Sequence, residues 1–284
     1  MNRLLLFAVL STMILTMTSC DVIDGDPRET PTGPVDTNTI RQNVLLEDYT
    51  GHTCPNCPAA TEIADQIVDA FGDDRVFVVA VHAGPFAVPR PPKYALDLRT
   101  PEGTELDNTF KNSRIGNPNG LINRVTAGDR FVYPKEMWST AVADLLDNTP
   151  TVNISIKNKT FTESTKTLTF TAEINYLEAG SSDYHIVAWI TEDGMIGTQT
   201  DNRKTPSDVE NYVFKHVLRG SINGTWGEQL SQTDVPLGTK ISKDFSFTFP
   251  ANKDWVPENC DLIVYVHRHA TTKEVLQVVK TEVK

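Results

Sequence analysis

At residues 147–151, DNTPT, the hydrophobic pattern changes its period, and that change constrains the fold more than any other feature of the chain. Beyond it, apolar residues alternate with polar ones: Val152, Ile154 and Ile156; Leu168, Phe170, Ala172, Ile174 and Tyr176; Phe245, Phe247 and Phe249. Successive side chains of a strand point to opposite faces, so each run predicts a strand with one buried face. YHIVAWITED, VFKHVLRGSI, DLIVYVHRHA and EVLQVVKTEV add further strands, and no helical period interrupts them. Short strands parted by turn residues predict an all-β sandwich of the immunoglobulin-like kind over residues 150–284.

Residues 39–149 follow another pattern. NVLLEDY predicts a strand, Ala60, Ile63, Ile67 and Phe71 recur at helical spacing, and RVFVVAVHA is a continuous apolar strand of the fully buried kind. Strand, helix and buried strand together predict a parallel pair with a crossover, hence an α/β unit. Pro85, Pro89, Pro91 and Pro92 exclude a helix or central strand next and predict an ordered surface loop. Thr100-Pro101-Glu102 opens a helix, with proline at its first position, expected to run to about Arg114. GLINRV and RFVYP predict a hairpin, and Trp138, Val142 and Leu145 a last helix.

At the amino end, Arg3 precedes an apolar run from Leu4 to Met17, with small residues before Cys20. This predicts a secretory signal over residues 1–19, because the run is shorter than the roughly 20 residues that span a bilayer. Cys20 stands where a lipoprotein carries its acylated cysteine, although Met17-Thr18 is a loose version of that signal. Acylation there would anchor the protein to a membrane. Residues 20–38, rich in Asp, Pro, Gly and Thr without an apolar period, predict a disordered tether. The net charge is -11 and no basic stripe or run occurs, which argues against nucleic acid as a partner. No motif calls for a cofactor.

Cys54 and Cys57, in EDYTGHTCPNCP, stand two residues apart just ahead of the first predicted helix. A zinc site needs four ligands, and no second Cys-x-x-Cys or His-x-x-x-His pair is present. A structural disulfide is the second reading, but closing so short a loop removes little chain entropy. The third is a redox couple. A cysteine at a helix N-terminus faces unpaired N–H groups and the positive end of the dipole, which favours thiolate; Cys54 would then attack and Cys57 resolve. That reading requires a Cys54 sulfur that reagents can reach.

The strand ending in EDYTGHTCPNCP, the helix, the buried strand and the later IGNPNGLINRV resemble the thioredoxin fold. The resemblance implies that Asp48, six residues before Cys54, is a buried proton acceptor and that Pro118 is a cis-proline aligning substrate backbone. It departs from thioredoxin at Thr53, where tryptophan is usual, and in the Pro-Asn spacer. With the lipoprotein-like signal, GLINR and a β-rich half containing HVLRG, the chain further resembles the twenty-eight-kilodalton outer membrane protein family of Gram-negative lipoproteins. That resemblance implies an outer-membrane address, with the membrane face left open.

Other residues carry weaker expectations. His52 is either a partner of the Cys54 thiolate or a solvent-facing loop residue, and His82 either lines a groove or caps a strand. Cys260 is expected as a small buried hydrophobe. His216 and Arg219 of HVLRG suit a binding surface or an outward strand face, and His267 with His269 are expected to face solvent. Asn153, Asn158 and Asn223 are sequons, irrelevant behind a lipoprotein signal. Two functions follow. One is thiol-disulfide exchange on exported proteins; the other is a non-catalytic surface lipoprotein whose β-sandwich binds a partner.

Overall fold

The computed structural model describes residues 40–126, 128 and 130–284; the signal segment, Cys20 and the tether lie outside the described residues. Strand β1 (Val44–Thr50) and strand β2 (Val76–His82) are buried at every position; the apolar run Val76–Val81 of β2 suits a strand covered on both faces, whereas β1 also buries the acids Glu47 and Asp48. They pair in parallel from Val44↔Val76 to Thr50↔His82, joined by helix α1 (Cys57–Phe71). Helix α1 buries Ala60, Ala64 and Ile67, one stripe at helical spacing, and ends at Gly72, whose φ of 102° suits glycine.

Helix α2 (Pro101–Phe110) is capped by the Thr100 hydroxyl, which accepts from the Gly103 N–H at 2.9 Å. The helix predicted to continue to Arg114 breaks at Lys111, which takes a left-handed φ of 57°. The Asp107 carboxylate then accepts from the Ser113 N–H at 2.7 Å and starts the separate helix α3 (Asn112–Ile115). Strand β3 (Asn119–Ile122) lies antiparallel on β1 and pairs with the two-residue strand β4 (Tyr133–Pro134), the predicted hairpin. Helix α4 (Trp138–Leu146) follows.

The rest is β-structure, and the molecule as a whole is mostly β-sheet with few helices. Strands β5 (Val152–Thr162), β6 (Thr167–Tyr176) and β12 (Lys240–Thr248) form a three-stranded sheet. Strands β8 (Met195–Thr200) and β9 (Asp208–Phe214) make a hairpin. The large sheet runs β14-β13-β7-β10-β2-β1-β3-β4, adding β7 (Tyr184–Glu192), β10 (Val217–Ser221), β13 (Cys260–Arg268) and β14 (Val275–Glu282), with β11 (Glu228–Gln229) paired to β7. Val217 of β10 pairs with Ala80 of β2, so this sheet passes across the change of period near residue 149.

Alternation assigns the two faces of the large sheet. Ile186, Ala188 and Ile190 of β7 and Leu262, Val264 and Val266 of β13 pack on the three-stranded sheet, while Val44, Leu46, Val76 and Val78 pack on α1 and α4. The opposite face carries Leu45, Tyr49, Phe77, Val79, Trp189, Tyr265, Val275 and Val278 in one cluster with Leu106 and Phe110 of α2. The sheet curls around this cluster. Its far edge returns to β1 and β3, where the Val275 N–H donates to the Asn123 carbonyl at 2.8 Å and the Asn43 amide to Val278 at 2.9 Å.

The stretch VFKHVLRGSI, expected as one strand, is two. His216 adopts a φ of 56° and its N–H donates to the Asp193 carboxylate, which turns the chain between β9 and β10. Cys260 is buried and free, as expected. His267, expected in solvent beside His269, is instead fully buried, with Nε2 3.1 Å from the Trp226 carbonyl. The loop carrying Trp226 folds back over that face of β13, which the strand pattern by itself does not announce.

Candidate functional site

Cys54 and Cys57 form a disulfide, with Cα atoms 5.5 Å apart and Cys57 as the first residue of α1. The cysteines are 0% and 1% exposed, so the reachable sulfur expected from the sequence is covered. Two elements cover it. On one side lies the proline-rich loop: the Thr53 N–H and hydroxyl both donate to the Phe86 carbonyl, at 3.1 and 2.9 Å, and a Cβ on Gly51 would sit 2.4 Å from the Phe86 carbonyl carbon. Only glycine allows that approach.

On the other side lies the β8–β9 hairpin. The buried Gln199 amide donates to the Cys54 carbonyl at 3.0 Å and to the Gly51 carbonyl at 3.4 Å. The Thr200 N–H donates to the His52 carbonyl at 2.9 Å, and the Asn202 N–H to the Pro55 carbonyl at 3.0 Å. Gln199, Tyr212 and Phe214 close a small cavity that Thr50, Cys57 and His82 line from beneath.

Asp48 continues the face of β1 that Val44 and Leu46 present to α1. Its carboxyl is buried, one oxygen has no hydrogen-bond partner, and burial pushes its pKa up to about 7. The Asn117–Pro118 bond is cis, and the segment that follows pairs Gly120 with Asp48. Asp48, Cys54, Cys57 and Pro118 are therefore brought to one end of β1.

His52 is not the solvent-facing loop residue weighed as one alternative, and His82 closes strand β2 beside the small cavity. His52 is buried, stacks on Tyr94 at 5.5 Å and donates from Nε2 to the Val88 carbonyl at 3.2 Å; burial lowers its pKa. His82 is buried, its Nδ1 lacks a partner, and burial, then neighbouring His52, push it down to about 3. It is neutral across physiological pH. Arg219 and His216 are engaged by acids rather than by the disulfide: Arg219 pairs with Glu192 at 3.2 Å and Asp254 at 3.0 Å, and His216 Nδ1 lies 3.3 Å from Asp193.

Sequence reasoning missed the hairpin residues Gln199, Thr200 and Asn202, for which no local signal exists. It also missed a buried ion pair under the site. Arg124, last residue of GLINR, donates to both oxygens of Glu47 at 2.8 and 3.0 Å and to the Tyr265 hydroxyl at 3.0 Å, with all three residues fully buried.

Fold and site define a mostly β protein with a sealed Cys-x-x-Cys disulfide at the end of a parallel strand pair. Residues 104–284 match the family model of the outer membrane protein Omp28, and the chain belongs to that family, which places it at the outer membrane. The matched residues begin after the cysteine pair. HBP35 of Porphyromonas gingivalis has a similar fold, with a TM-score of 0.59 at 14% identity over 86% of this chain and 76% of that one. A domain of the outer membrane lipoprotein Omp28 from Porphyromonas gingivalis also matches, at 18% identity over 48% of this chain and 91% of that chain, with a TM-score of 0.31. No curated protein matches the chain. Among the described residues no helix is long and apolar enough to cross a membrane.

Proposed function

We propose that this protein is an outer-membrane lipoprotein, acylated at Cys20, whose first half (39–149) is a thioredoxin-like unit using Cys54 and Cys57 for thiol-disulfide exchange with exported proteins. The observation that carries this reading is Asp48. A buried carboxyl with an unpaired oxygen costs stability, on the order of 1–3 kcal/mol even as a neutral group. A short staple such as Cys54–Cys57 gives little in return and has no need of an acid beneath it. A working couple does need one. When a thiolate attacks the Cys54 sulfur, the bond to Cys57 breaks and the electron pair leaves on Cys57, which takes a proton; Asp48 holds one below about pH 7. The α1 N-terminus favours the thiolate at Cys54 in the reduced state.

The trapping experiment follows from the order of events. In Cys57→Ser the mixed disulfide on Cys54 has no resolving thiol, so adducts with exported proteins should accumulate and disappear on adding reductant. Their absence, with the variant folded and exported, would remove the exchange function.

The second reading makes the thioredoxin-like unit a scaffold and gives binding to the β-sandwich over residues 150–284. The complete burial of both sulfurs favours it. Under that reading the trap stays empty.

A further inference from the structure

We infer that the β8–β9 hairpin is a gate over the Cys54–Cys57 disulfide, laid against the Cys54 loop through the end of β8 and the turn that follows it, and held by side-chain clamps that must release before any thiol reaches sulfur. The inference deepens the proposed exchange function but does not need it, since it concerns access alone.

The contacts fall into two sets. The inner set is two backbone bonds and one side-chain bond: the N–H groups of Thr200 and Asn202 donate to the carbonyls of His52 and Pro55, and the side-chain amide of Gln199 donates to the Cys54 carbonyl. These bonds occupy the backbone groups flanking the cysteine, so an incoming chain must displace them. The outer set fastens both edges of the hairpin. Arg203 makes a two-pronged pair with Glu62 of α1 at 2.6 and 2.9 Å, and Lys215 reaches Asp65 of α1 at 2.8 Å. Opposite, Asp208 takes the Tyr94 hydroxyl at 2.5 Å and the Lys93 ammonium, both from the proline-rich loop, and Tyr94 also meets the Thr200 hydroxyl at 2.7 Å.

The clamps are solvent-facing ion pairs of the weak, salt-screened kind, whereas the disulfide beneath is fully covered. The hairpin forms a two-stranded sheet of its own, sharing no ladder with the large sheet. Such a unit can lift while the sheet beneath stays whole. Its outer face presents Ile196 and Val213, cross-strand partners that are both exposed.

The test reads the rate at which excess dithiothreitol reduces Cys54–Cys57 in the folded, full chain. One thiolate of the dithiol bonds to the Cys54 sulfur and expels Cys57; its second thiol then closes the oxidised ring and frees Cys54, so the dithiol supplies both electrons. The double variant Arg203→Ala with Asp208→Ala should be reduced about tenfold faster than wild type, and raising salt should speed wild type more than the variant. Arg268→Ala, which loses a distant exposed pair with Glu274, should leave the rate unchanged. As a second measurement, hydrogen exchange at the Thr200 and Asn202 amides should quicken in the double variant in parallel with reduction.

Equal reduction rates in wild type and the double variant would overturn the gate, as would an equal gain in Arg268→Ala. Faster reduction with an empty Cys57→Ser trap leaves the gate and removes the exchange function; a filled trap with unchanged rates does the reverse.

Discussion

Arg124→Met is expected to lower stability to urea by about 3–5 kcal/mol, because it leaves the Glu47 carboxylate buried with its partner gone. The guanidinium sits inside the curled sheet, over the rings of Tyr265, Phe110, Trp189 and Trp226 at 5.1 to 5.7 Å, and holds both Glu47 oxygens. No water reaches either charge, so removing one side exposes the full desolvation cost of the other. Glu47→Leu combined with Arg124→Met should recover much of the loss, since an apolar pair of similar volume carries no such cost. Additive losses in the double variant would mean that the pair is not the source.

The second large effect is a pH dependence. The Asp48 carboxyl moves from an ordinary 3.8 to about 7 on folding. Because the folded value is the higher one, the folded protein keeps a proton across this window that the unfolded chain has already lost. Stability from this group is therefore complete below pH 4 and falls as pH rises through 7, by about 4 kcal/mol at 1.36 kcal/mol per unit. His82 and His267, both pushed down to about 3 by burial, act in the opposite direction, withdrawing stability as pH falls below 6.5. The difference between wild type and Asp48→Asn isolates the carboxyl: unfolding in urea should show the variant more stable by roughly that amount at pH 8, with little difference at pH 4. A gap independent of pH would show that Asp48 is not buried as an acid.

These two groups also mark what the sequence discloses. Asp48, Cys54, Cys57 and Pro118 lie in two short stretches whose spacing carries the resemblance, and the chain brings them to one end of β1. The alternating strands were legible because burial on one face writes a period of two into the residues. Glu47, Arg124 and Tyr265 were not, since they are 77 and 141 positions apart and only the curl of the sheet joins them. Glu47 even looks like an ordinary strand acid beside Asp48. The cover over Cys54 was illegible for the same reason. Gln199 meets the Cys54 carbonyl across 145 positions, and nothing in MIGTQT distinguishes it from any other hairpin strand. Where the reading erred locally, at Lys111 and His216, a single residue with positive φ breaks a run that side-chain pattern alone presents as continuous.

The reduction potential of the Cys54–Cys57 couple, equilibrated against glutathione or dithiothreitol buffers until the ratio stops changing, tests the exchange function most directly. A working couple should fall between about -270 and -120 mV, the span from reducing to oxidising members of the thiol-exchange proteins. A value below about -300 mV, where structural disulfides lie, would contradict it.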